Sequence, residues 1–198
     1  IKQSIKLASF IKSPLYSFHA GFLIDPKVKE LGKTIQSNNL YDRDKSLKRF
    51  IHSIKFLSKY ASKYKIKLLV ENNVITKGNL SKFESNPLLM TDIKSTREIV
   101  ENFDENLLFL VDVAHLKVSA NTLNFDSREY LEIFKDKIGG YHLSDNNGLV
   151  DSNKEISKFS WFWPHLRNDL NYYTLEVYDQ NPKVLLSQLE LAQNKVCR

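Results

Sequence analysis

The chain has 198 residues, 42% of them hydrophobic and 26% charged. That suits one sizeable soluble core and is too little for two ordinary domains. The formal net charge of +6 comes from lysines scattered among asparagine and isoleucine, with no dense basic tract, so a solvated surface is a better reading than a nucleic-acid footprint.

The elements follow in chain order. Residues 1–12 read as the middle of a helix. Residues 15–22 form the first short apolar run. Leu47, Phe50, Ile51, Ile54, Leu57 and Ala61 then recur at helical spacing and make one apolar stripe. Residues 67–72 are a second apolar run. Ile93, Ile99 and Phe103 suggest a helix, and residues 107–115 are a third run. Asp126-Ser-Arg-Glu129 is an acidic variant of a capping box ahead of Tyr130, Leu131 and Phe134. Residues 139–145 and 172–178 are the last two runs. Between them residues 160–170 hold Trp161, Trp163 and Pro164 and predict a short, broken helix or loop. Asn181-Pro182 opens a final helix that carries Leu185, Leu186 and Leu189.

Strands that are apolar throughout, alternating with amphipathic helices, predict an α/β fold with a parallel sheet. An open sheet gathers its ligand at one switch point, often marked by a glycine-rich loop. No GxGxxG or GxxxxGK[ST] occurs. A barrel instead draws functional groups from the C-terminal ends of many strands. That is the pattern here. The five runs end in His19, Glu71, Asp112 with His115, His142 with Asp145, and Glu176.

A buried carboxylate is costly unless something pairs with it. Several acids converging on one rim would repel one another without a cation. Glu71, Asp112, His142 and Glu176 are the expected ligands of one divalent metal ion. Three carboxylates and one imidazole favour Mn²⁺, Mg²⁺ or Co²⁺, with Zn²⁺ also compatible. His115 is a further ligand or a substrate contact, and His19 lines the pocket. A lone histidine such as His19 is more often a hydrogen-bonded core or loop residue. Asp145 is either a substrate contact or a turn cap with Asn146, Asn147 and Gly148. His52 and His165 fall on helical or loop segments and read as structural. Trp161 and Trp163 read as core or interface residues before they read as a cover for a ligand.

Cys197 is the single cysteine, so no internal disulfide is available and a reducing compartment fits. No signal-peptide pattern and no apolar run of membrane-span length is evident. The expectation is a cytoplasmic protein without membrane contact, with room for a homo-oligomer.

Five motifs occur in order: His19-Ala-Gly, Leu-Val-Glu71-Asn, Val-Asp112-Val-Ala-His115, Tyr-His142-Leu-Ser-Asp145 and Leu-Glu176-Val. Together they resemble the xylose-isomerase-like TIM-barrel superfamily, which includes sugar and sugar-phosphate isomerases and epimerases and the endonuclease IV type of repair enzyme. The resemblance runs from about Leu15 to Leu191. It implies a TIM (β/α)8-barrel type of fold, incomplete here, with strands three to seven of eight. Residues 1–198 would then be a single barrel domain truncated at both ends.

The resemblance also implies that Glu71 and Glu176 are the catalytic acid–base pair as well as metal ligands. His19, His115 and Asp145 would contact substrate. The implied activity is a metal-dependent sugar or sugar-derivative isomerase or epimerase that abstracts a proton next to a carbonyl. The alternatives are an endonuclease-IV-like phosphodiesterase acting on abasic DNA and a non-catalytic barrel fragment. Two departures from the family bear on this. Asp151-Ser-Asn153 stands where the endonuclease branch has Asp-x-His, which argues against a third zinc. Asn146-Asn-Gly-Leu lacks the arginine that some sugar epimerases place after the strand-six histidine.

Overall fold

The computed structural model describes residues 1–27, 30, 35, 39–83 and 85–196. Cys197 lies outside the described residues. Five strands, β1 (Leu15–His19), β2 (Lys67–Glu71), β3 (Leu107–Asp112), β4 (Ile138–Leu143) and β5 (Tyr173–Leu175), make one sheet. Every neighbouring pair is parallel, and the spatial order is the chain order. An open doubly wound sheet would reverse direction at a switch point. This one winds in a single direction, as a barrel does, and forms a partial barrel.

The crossovers are helical. α1 (Lys2–Phe10) precedes β1, and α2 (Arg43–Ser62) joins β1 to β2. α3 (Lys77–Lys82) and α4 (Ile93–Val100) precede β3, and α5 (Val113–Leu123) and α6 (Ser127–Phe134) precede β4. α7 (Pro182–Val196) follows β5. The predicted stripe on α2 turns Ile54 and Ala61 inward, and both are fully buried. Aspartates open four of the helices. Asp42, Asp92, Asp112 and Asp126 each accept a hydrogen bond from a backbone N–H of the first turn, which satisfies donors that the helix itself cannot.

The structure redraws some predicted bounds. The third run does not stay extended to residue 115. Asp112 ends β3 and caps α5 at once, so His115 lies in the first helical turn. The sequence hides this because α5 is buried along most of its length and reads as a continued apolar strand. The first run ends at His19, and β5 ends at Leu175, just before Glu176. Phe103 lies beyond α4 but still packs on the core. In α7 the buried positions are Gln188, Ala192 and Val196, while Leu186 and Leu189 are exposed. Residues 160–170 hold a single 3-10 turn, Trp163–His165.

The main core runs from Ile5 through the strands to Ala192. A second apolar cluster of Ile24, Ile35, Ile75, Phe83 and Leu88 is separate from it. Among the described residues no helix is long and apolar enough to cross a membrane.

Candidate metal centre

Strand register brings the polar ends together. His19 on β1 pairs with Glu71 on β2, and Asp112 on β3 pairs with His142 on β4. Beyond β5, the Glu176 N–H still donates to Leu143 O at 3.0 Å, so the strand-like course carries Glu176 to the same level. One ligand atom each from Glu71, Asp112, His142 and Glu176 falls within a sphere where all lie within 4.8 Å of one another. These are the four residues expected from the sequence to share an ion.

Individual distances sharpen the picture. His142 Nδ1 lies 2.9 Å from Glu176 Oε2, 3.3 Å from Glu71 Oε1 and 3.9 Å from Asp112 Oδ2. Close approach is not alignment here: His142 Nδ1, Glu176 Oε2 and Asp112 Oδ2 are all buried without a hydrogen-bond partner. Buried polar atoms are normally satisfied. Three that are not, all converging on one small volume, fit the donor set of a divalent cation with one nitrogen and several oxygens.

The remaining atoms of these side chains are held by the fold. Asp112 Oδ1 accepts from the N–H groups of Ala114 and His115, both at 2.8 Å, which fixes the carboxylate and leaves Oδ2 facing the cluster. Asn72 and Asn73, which follow Glu71, pin the strand ends. Asn73 Nδ2 donates to Ala20 O, Gly21 O and Leu89 O at 3.2, 3.1 and 2.9 Å.

Charge distribution follows from burial and proximity. Burial pushes the Asp112 carboxyl up to about 7, against the pull of His115. Burial opposes charge on His142, but the Glu176 and Glu71 carboxylates outweigh it and hold the ring's pKa up to about 10. His115 is likewise held up to about 10, with burial outweighed by Asp112, Asp151 and Glu71. The imidazolium of His142 in turn keeps Glu176 down to about 2. Without an ion, two protonated rings therefore neutralise the carboxylates.

His19 and His115 form a second group with Glu71 that has metal-ligand geometry. Their rings stand 5.7 Å apart. His115 Nδ1 lies 3.0 Å from Asn72 O, and its Nε2 lies 3.2 Å from Asp151 Oδ2. Asp151 was visible in the sequence only as part of the Asp-Ser-Asn triplet. A cavity of about 560 Å³ opens beside the cluster, lined on this side by His19, His115, Asp151 and Glu176.

Asp145 is placed differently. Its oxygens accept from Lys117 Nζ at 2.6 Å, the Asn146 N–H at 2.8 Å and Ser160 Oγ at 2.8 Å, while the turn that follows is capped by Asn146 and Asn147, which accept from the N–H groups of Gly148 and Leu149. It does not line the cavity among the described residues. Trp161 and Trp163 pack against the core. His52 is exposed on α2, and His165 sits in the 3-10 turn.

The chain is similar to several solved structures. One is a D-tagatose 3-epimerase-like protein, at 18% identity and TM-score 0.71, covering 98% of this chain and 66% of that one. Another is the apo form of 3-keto-D-glucoside 4-epimerase, YcjR, from E. coli, at 15% identity and TM-score 0.63, covering 96% and 67%. A third is the IOLI protein with a bound zinc atom, at 14% identity and TM-score 0.64, covering 98% and 67%. The chain thus spans about two thirds of the length of these structures. No curated protein matches it in sequence. At these identities the likeness establishes the fold, an α/β barrel type shared with sugar epimerases. A family model described as xylose isomerase-like TIM barrel matches residues 1–175, and the chain belongs to that family.

Proposed function

We propose that the protein is a divalent-metal-dependent sugar or sugar-derivative isomerase or epimerase. The observation that carries this reading is the convergence of Glu71, Asp112, His142 and Glu176 from four strand ends, three with an orphaned buried atom, beside an open cavity. The sugar epimerases among the similar structures support the substrate class.

A bound divalent ion would supply Lewis-acid polarisation of a substrate carbonyl. Glu71, Asp112, His142 and Glu176 would hold it. Glu176 lines the cavity, so it is placed to remove a proton from the carbon next to the carbonyl. Glu71, deeper and beside His19, is the partner that returns a proton. His115 lines the cavity with Nδ1 held by Asn72 O, and its Nε2 would meet a substrate hydroxyl in place of Asp151. His19 is half-exposed on the same rim and serves the same purpose. Asp145, through Lys117 and Ser160, would act on the loop after β4.

The test is deuterium incorporation from heavy water next to the carbonyl of a ketohexose, in the presence of Mn²⁺. The wild-type chain exchanges that proton, and Glu176→Gln does not, while its circular dichroism is unchanged. Equal exchange by both proteins would remove Glu176 from the reaction.

A further inference from the structure

The cavity beside the metal centre has an uneven lining. One part carries the histidines and carboxylates described above. Beyond them it is lined by the apolar side chains of Phe22, Ile35, Leu88, Val150 and Tyr178 together with Asn73, Thr76, Asn79 and Asn153. This apolar wall is not an accidental face of the main core. Ile35 and Leu88 belong to the separate apolar cluster, and Phe22 packs against it. Its position is fixed by backbone pairing. Phe22 and Leu88 form an antiparallel bridge, and Asn73 ties the flanking Gly21 and Leu89 carbonyls together. Val150 and Tyr178 also line the cavity and are 52% and 74% exposed, which leaves apolar surface open to whatever enters.

A bare sugar would waste this wall. Its hydroxyls find no partner on aliphatic and aromatic carbon, and burying them there is unfavourable. The volume of about 560 Å³ lies within the range of pockets that enclose a drug-sized molecule. A sugar anchored at the metal end leaves much of that space to fill.

We infer that the substrate is a sugar derivative bearing an apolar substituent, with the sugar at the metal centre and the substituent along Phe22, Ile35, Leu88, Val150 and Tyr178. The inference rests on the isomerase or epimerase reading above and specifies its substrate class.

Calorimetric titration of the Mn²⁺-loaded chain with two probes tests it: D-fructose and 6-O-benzyl-D-fructose. The benzyl ether should bind at least about tenfold more tightly than fructose, as burial of an aromatic ring requires. Replacing the two exposed wall residues together, Val150→Ser with Tyr178→Ser, should bring the benzyl-to-fructose affinity ratio close to one. If Mn²⁺ raises the melting temperature but the ether binds no better than fructose, the inference is overturned and the metal-site reading stands. If Mn²⁺ leaves the melting temperature unmoved and neither sugar binds, the reading itself fails and the inference falls with it.

Discussion

The Asn72 side chain and the Asp112 backbone exchange two hydrogen bonds across neighbouring strand ends. Asn72 Nδ2 donates to Asp112 O at 3.1 Å, and the Asp112 N–H donates to Asn72 Oδ1 at 2.8 Å. Asn72 is 1% exposed, so no water replaces either bond. Its own carbonyl lies 3.0 Å from His115 Nδ1. One asparagine thereby sets the height of β2 against β3 and orients a ring beside the metal centre.

Asn72→Leu should therefore destabilise the fold by about 1–3 kcal/mol, the cost of leaving a buried backbone donor without a partner. Mn²⁺ affinity should fall by about tenfold or more, as for other residues that orient metal ligands. Urea unfolding and a Mn²⁺ titration read the two effects. An unchanged urea midpoint would show that the pairing supports nothing.

The metal-free protein should lose stability with rising pH. His115 and His142 hold their protons up to about 10, against an ordinary value of 6.5. The folded state therefore binds more protons than the unfolded chain across this window, and stability falls as pH rises. The contribution of the two rings is complete below pH 6.5 and is lost on approach to pH 10. Asp112 acts in the same direction at lower pH, between its ordinary 3.8 and its raised value of about 7. Glu176 opposes them on the acid side, because its lowered pKa of about 2 gives stability that is present above 4.5 and lost as pH falls. Melting temperatures in chelator should drop from pH 6.5 to 10, and Mn²⁺ should flatten the slope by taking the place of the proton on His142. A level profile in chelator would mean that the imidazoliums do not hold the cluster together.

Much of this was legible in the sequence because a carboxylate at the end of an apolar strand conflicts with its surroundings. Glu71, Asp112 and Glu176 stood out for that reason, with His142 as the imidazole at the matching strand end, and the structure brings the four together. What stayed hidden was local geometry with no periodic signature. The turn from β3 straight into α5 depends on one side chain, Asp112, ending a strand and capping a helix together. The roles of Asn72 and Asn73 depend on residues about 40 and 50 positions away, which no spacing rule reveals. The apolar cavity wall joins Phe22 to Leu88 across an isolated bridge, again a non-local contact.

Gly139 should not tolerate a side chain. A Cβ built there would lie 2.6 Å from Leu108 Cδ1 and 2.7 Å from Leu108 Cβ. The Cβ of Leu108 cannot swing away, so β3 and β4 would have to separate beside the register shift at Phe109 and Leu110. Gly139→Ala is expected to cost about 1–3 kcal/mol, the usual penalty for overpacking. Because β4 carries His142, weaker Mn²⁺ binding should accompany it. Thermal unfolding within error of wild type would refute the clash.

Asp112→Asn separates metal binding from folding, because the two carboxylate oxygens have different duties. Oδ1 caps α5 through the Ala114 and His115 N–H groups, whereas Oδ2 has no hydrogen-bond partner and faces Glu71, His142 and Glu176. Asparagine caps helices about as well as aspartate, so the amide oxygen can keep the first duty. The amide nitrogen cannot perform the second, since it has no lone pair to offer a cation. Burial holds Asp112 up to about 7, so at pH 8 the carboxylate is ionised at a cost to folding that a neutral amide of the same shape avoids. The metal-free variant should therefore melt at or above the wild-type temperature at pH 8. The rise that Mn²⁺ produces in the wild type should be absent. A variant that keeps the Mn²⁺ shift would take Asp112 out of the ligand set. One that collapses in chelator would show that the charge, and not the cap alone, holds α5 to β3.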